Sequence, residues 1–147
     1  MSENDLIVVS PTRRTLQTAF IWSNDIQCEK IISPMVSPRL FPQKTEGHTL
    51  PCDEIMGIEK IGNEFSTFIL DQHSPTDLWT KGINTMPDQE FRILVERLLS
   101  CCKQRSKDKV YIVSHDGTIT SYRQLISNLS FSREDFLIEG GWVNVQY

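Results

Sequence analysis

The stretch IVVSPTRRTLQTA, residues 7–19, joins an apolar run to a Ser10-Pro11 stop and then to two adjacent arginines. In DLIVVS, residues 5–10, apolar side chains fall at consecutive positions, the pattern of a strand covered on both faces. Pro11 opens a helix, where a missing N–H costs nothing, and Leu16, Ala19 and Phe20 give its apolar stripe over residues 12–24. Arg13 and Arg14 therefore stand where a strand hands over to a helix. Two readings are open for them: solvent-facing charge, or an anion site at a strand's carboxyl end.

A second segment repeats the design. In KVYIVSHDG, residues 109–117, the apolar run stops at Ser114-His115, and Ile119, Tyr122, Ile126 and Leu129 align on the helix that follows. Between the two segments, residues 29–33 (EKIIS) are a further strand candidate. Residues 33–51 carry four prolines and read as a long loop. Asp53–Leu70 has helical spacing of Ile55, Ile58, Ile61, Phe65 and Phe68, and residues 88–103 have Phe91, Leu94, Val95, Leu98 and Cys102 on one face. The terminal GGWVNVQY alternates like an exposed edge strand. The order of elements predicts an α/β fold, a mostly parallel sheet with helices on both faces, in one domain over residues 1–147.

At this length a chain buries about 68–70% of the surface its unfolded form exposes, so neither disulfide nor metal is needed to hold a core. Fifteen Lys+Arg against nineteen Asp+Glu give a net charge of −4, which argues against a nucleic-acid partner. Cys28, Cys52, Cys101 and Cys102 form no C-x-x-C pair, and no paired histidines accompany them, so no metal or other cofactor is expected. No basic flank precedes a long apolar run and no run approaches ~20 apolar residues. The expectation is a reduced, cytoplasmic protein with no membrane partner.

In open parallel sheets, ligands bind outside the carboxyl ends of strands, where helix N-termini offer free N–H groups. Arg14 has the bidentate fork that suits phosphate, His115 is a cationic donor or proton carrier, and Gly117 permits close backbone approach. Together they make a phosphate cradle. Asp116 has a second reading as the cap of its helix.

SPTRRTLQTA resembles the S-P-x-x-R-[TA]-x-Q-T-A segment of the histidine phosphatase superfamily, the phosphoglycerate-mutase-like proteins, and YIVSHDGTI resembles that family's second histidine segment, with Asp116 where glycine is more usual. Between them, EGHTLPCDEIMGIEKIGNEF is similar to the branch that reads E-x-x-x-x-P-C-D-x-G ahead of a helix. The resemblance implies a phosphoglycerate-mutase-like fold and a phosphorylated small molecule or phosphate as partner. It implies that Arg14 contacts the phosphoryl group, that His115 stabilises it beside Asp116, and that Glu46 protonates the leaving oxygen, with Asp53 as the alternative acid. The family pattern leaves position 13 open, so Arg13 is expected to face solvent.

The family's arginine-histidine-glycine triplet, whose histidine is the nucleophile, does not occur here; the histidines are His48, His73 and His115, and nine residues precede Ser10. The resemblance therefore implies a truncated domain lacking the first strand, the nucleophile and one phosphate-binding arginine. Such a protein is expected to keep a phosphate-binding half-site yet be inactive alone as a phosphomonoesterase. The alternatives are a phosphatase completed by a nucleophile segment from another chain, and a non-catalytic interaction module. Losing an interior strand leaves unpaired edges, so the chain should form a homo-oligomer, recruit a complementing chain, or re-pair DLIVV directly with YIVS.

Overall fold

The computed structural model describes residues 1–147. Its centre is a four-stranded, all-parallel sheet built from β1 (Leu6–Val9), β2 (Glu29–Ile32), β3 (Ile69–Leu70) and β4 (Val110–Val113), in the order β3-β2-β1-β4. Helices α1 (Arg13–Trp22), α2 (Ile58–Glu64), α3 (Leu78–Lys81), α4 (Asp88–Gln104) and α5 (Asp116–Ser127) complete an α/β fold.

The consecutive apolar residues of β1 are all buried because the sheet has a core on each face. Leu6 and Val8 pack with Ile31, with Phe91, Leu94, Val95 and Leu98 of α4 and with Tyr122 of α5. Ile7 and Val9 pack on the other side with Ile32, with Leu16 and Ala19 of α1 and with Ile61 of α2. The period-2 pleat sends alternate side chains to opposite layers, so a strand between two layers is apolar throughout.

β1 lies directly beside β4, in parallel register with Val9 opposite Val113, which sets Ser10 next to Ser114. The Ser10 N–H donates to the Val113 carbonyl at 3.0 Å and extends that ladder into the following loop. Both handover segments thus open at the same end of the sheet. β4 is an edge strand, and its four apolar residues are only half-buried.

Three expectations are corrected. Asp53–Leu70 is not one helix: α2 covers Ile58–Glu64 alone, Ile55 bridges antiparallel to Thr12, and Ile69–Leu70 pairs with β2. The apolar spacing over this stretch is consistent with helix, but Gly57 and Gly62 weaken that propensity and the open β2 edge offers ladder bonds instead. The terminal GGWVNVQY joins no ladder, and Trp142 is 83% exposed. Pro11 stands two residues ahead of α1, with Thr12 as its N-cap, and the Pro11 carbonyl accepts from the Met56 N–H.

The first part of the 33–51 loop is part of the core. Ser33–Arg39 is buried, and the Arg39 guanidinium donates to the Ile83 and Met86 carbonyls and to Asp88 while stacking on the Phe91 ring. A side chain as costly to bury as arginine is held by satisfying its donors and covering its flat face.

Candidate phosphate half-site

Arg14 and His115, about a hundred residues apart in sequence, meet at the carboxyl ends of β1 and β4. Arg14 lies in the first turn of α1 and His115 is the N-cap of α5, so both side chains project from helix starts that follow adjacent strands. The Arg14 Nη2 group lies 2.7 Å from His115 Nδ1 and also bonds Asp53 Oδ1. Asp53 Oδ1 stands 3.5 Å from the same ring nitrogen. The three side chains form one cluster, with Arg14 half-exposed and His115 buried.

His115 is neutral here, contrary to the cationic role its position suggests. Burial, and then the Arg14 charge, push its pKa down to about 3. A guanidinium has only donors, so Nδ1 accepts from Arg14 and the ring proton sits on Nε2. Nε2 faces Ser10 Oγ at 2.9 Å and Thr12 Oγ1 at 3.4 Å. Thr15 ties this floor down: its hydroxyl lies 2.8 Å from Thr12 Oγ1 and donates to the Ser10 carbonyl at 2.7 Å. Ser10, Thr12 and Thr15 are fully or almost fully buried, so the imidazole plane is fixed from below. The residues flanking Arg14 in SPTRRT carry this role, and hydroxyl side chains at a strand end are its one sequence signal.

Arg13 turns away from the cluster. It makes a bidentate pair with Glu64 at 2.6 and 2.8 Å on the exposed surface. Neighbouring helix positions diverge by about 100°, which separates the two arginines.

Glu46 does not join the site. It is exposed and makes no hydrogen bond or ion pair with Arg14 or His115, whereas Asp53 contacts both. The reason is local: Pro51–Asp53 forms a 3-10 turn anchored by the Thr12–Ile55 bridge, which brings the Asp53 carboxylate beside α1. Asp53 is thus the carboxyl group at the cluster. His48 and His73 belong to other loops, both exposed.

Asp116 sits at the start of α5, exposed, with its Oδ1 accepting the Gly117 N–H at 2.7 Å. It occupies an N–H that an anion would otherwise take, so its geometry is that of a helix-start acceptor. Gly117 is needed for packing: a Cβ there would lie 2.2 Å from the Arg39 carbonyl oxygen. Its bareness lets α5 seat against the 33–41 segment, where the Thr118 hydroxyl donates to the Ser37 carbonyl at 2.8 Å.

The cluster offers an anion one strong cation, an imidazole in the Nε2–H tautomer, buried hydroxyls and two helix starts. Phosphate suits such a set because its oxygens are acceptors in every direction. No group of three or more His, Cys, Asp or Glu side chains is arranged to hold a metal ion, and no helix is long and apolar enough to cross a membrane. No protein-family model matches the chain, and no curated protein matches it.

Proposed function

We propose that the chain is a histidine-phosphatase-like protein that binds phosphate or a phosphorylated small molecule in a half-site and does not hydrolyse phosphomonoesters by itself. The observation that carries this reading is the convergence of Arg14, His115 and Asp53 over buried hydroxyls at the carboxyl ends of two adjacent parallel strands. In the bound state the Arg14 fork leaves Asp53 for phosphate oxygens, and the dianion favours protonation of His115. Asp53, rather than Glu46, then holds the place of a proton donor to the leaving oxygen. Inactivity alone follows from the sequence, which has no R-H-G triplet to supply the nucleophile.

Calorimetric titration with inorganic phosphate tests the reading. Arg14→Ala should weaken binding by about 1.5–3 kcal/mol, the scale of a hydrogen bond to a charged group. Arg13→Ala, which loses only a surface pair, should leave it nearly unchanged. Equal effects from the two substitutions overturn the assignment.

A second reading is favoured by the edge position of β4. Its outer side pairs with no strand, and the strand leads directly into His115. A nucleophile-bearing strand from another chain, added there, would arrive next to the cluster and complete a phosphatase. Turnover appearing only on mixing with such a chain separates this reading from the first.

A further inference from the structure

The outer edge of β4 is open, and its backbone has a definite polarity. The Leu6 N–H donates to the Lys109 carbonyl at 2.9 Å and the Ser10 N–H to the Val113 carbonyl at 3.0 Å, so Lys109, Tyr111 and Val113 turn their backbone groups toward β1. Val110 and Ile112, which alternate with them, point theirs away from the sheet. The sequence Val-Tyr-Ile-Val carries no proline, charge or bulge, the features that usually protect such an edge. Apolar surface continues beside it. On the α1 face, the Tyr111 ring meets Trp22 edge-on at 5.1 Å, and Trp22 and its neighbour Ile21 are 48% and 76% exposed. On the α4 and α5 face, Val110 and Ile112 are half-buried.

We propose that β4 pairs antiparallel with β4 of a second copy of this chain, about a twofold axis through Tyr111, and joins the two sheets into one. The proposal stands independently of the half-site reading. An axis through Tyr111 sets Val110 of each copy opposite Ile112 of the other, and these residues exchange both of their outward hydrogen bonds. The two copies of Tyr111 form the close, non-hydrogen-bonded pair between them, with Cα atoms about 4.5 Å apart. They share one face with both Trp22 rings, while Val110 and Ile112 of the two copies meet on the other.

Charge selects this register. An axis one residue later, through Ile112, suits the backbone equally but sets Asp108 directly opposite Asp116, two exposed carboxylates. An axis one residue earlier, through Val110, sets Asp108 opposite the apolar Ile112. The axis through Tyr111 instead brings the basic 105–109 segment of one copy to the Asp116 end of the other. Arg105 and Lys107 share the one carboxylate of Glu29, and Lys109 has no ion-pair partner, so the segment keeps positive charge for Asp116. Closure points to the same partner. The sheet's other edge, β3, is only Ile69–Leu70, and pairing it with β4 would propagate as a filament where a β4–β4 contact closes. A nucleophile-bearing strand from another chain would compete with the second copy for this edge.

Light scattering on the full chain across a concentration series tests the proposal. The mass should pass from one chain to two and no further. Tyr111→Lys and Tyr111→Glu each set like charges opposite one another at the axis and should weaken dimerisation at least about tenfold, with wild-type circular dichroism retained. A one-to-one mixture of the two variants sets opposite charges there and should dimerise again, at least about tenfold better than either variant alone. Ile112→Pro removes an N–H that points away from β1, so it should hold the chain monomeric with the sheet kept. A wild type that stays monomeric throughout overturns the proposal, as does a mass that grows past two chains. Tyr111 variants that dimerise as the wild type does, or a mixture of folded variants no better than its parts, overturn it as well.

Discussion

Removing the titrating ring of His115 should abolish an acid-sensitive part of the fold's stability. The ordinary histidine pKa of 6.5 applies to the unfolded chain, whereas burial and the Arg14 charge hold the folded value at about 3. Between those values the unfolded chain binds a proton that the folded chain refuses, so stability is fully present above pH 6.5 and drains away as pH falls toward 3. Each tenfold difference in proton affinity is worth about 1.4 kcal/mol, which puts the loss at roughly 2–3 kcal/mol by pH 4.5. That is a large fraction of a typical domain's 5–15 kcal/mol. Urea denaturation of the wild type and of His115→Gln from pH 7.5 to 4.5 measures it. Carboxylates titrate in both proteins and cancel in the difference, while the hydrogen bonds lost with the ring give a constant offset. The stability gap should therefore shrink or invert as pH falls. A gap independent of pH would refute the neutral, buried imidazole and with it the tautomer on which the site geometry depends.

Asp53→Asn removes a carboxylate that competes for the Arg14 guanidinium, so phosphate should bind roughly fivefold tighter, about 1 kcal/mol, in calorimetry at low salt; weaker binding would mean that Asp53 positions Arg14 rather than competes for it. Gly117→Ala drives a methyl group into the Arg39 carbonyl, and the shift of α5 needed to relieve it should cost about 1–3 kcal/mol in denaturant titration. An unchanged midpoint would show that the α5 start is loosely seated. Hydrolysis of 4-nitrophenyl phosphate by this chain alone should stay at background, and robust turnover that disappears in His115→Ala would make that histidine more than a stabilising group.

The residues around the two handover segments were readable because parallel strands leave a strong mark, whether covered on both faces like β1 or half-buried at the edge like β4. LIVV and VYIV are apolar at every position, and the helices after them have clean stripes through Leu16 and Tyr122. The parallel pairing of β1 with β4 was among the expected outcomes, and it is what brings Arg14 to His115. The carboxylate was harder. Glu46 and Asp53 lie in one loop with no periodicity, and only the Thr12–Ile55 bridge, a tertiary contact, decides which of them reaches the arginine. The charge state of His115 was also hidden, because it depends on burial and on a cation about a hundred residues away. The tail misled for a different reason: WVNVQY alternates as an edge strand does, but alternation describes a strand's faces and supplies no partner for its backbone.

The bond from Ser10 to His115 spans 105 positions of the chain. Ribosomes add roughly 5–20 residues per second, so about 5–20 s pass after Ser10 is made before its imidazole partner exists. Throughout that interval β1 has β2 on one side and nothing on the other, an apolar strand with an open edge in a nascent chain. A contact of such long range is also slow to close once its partner is available. The Arg14–His115 cluster therefore marks completion: it exists only in a chain that has already brought its last strand home.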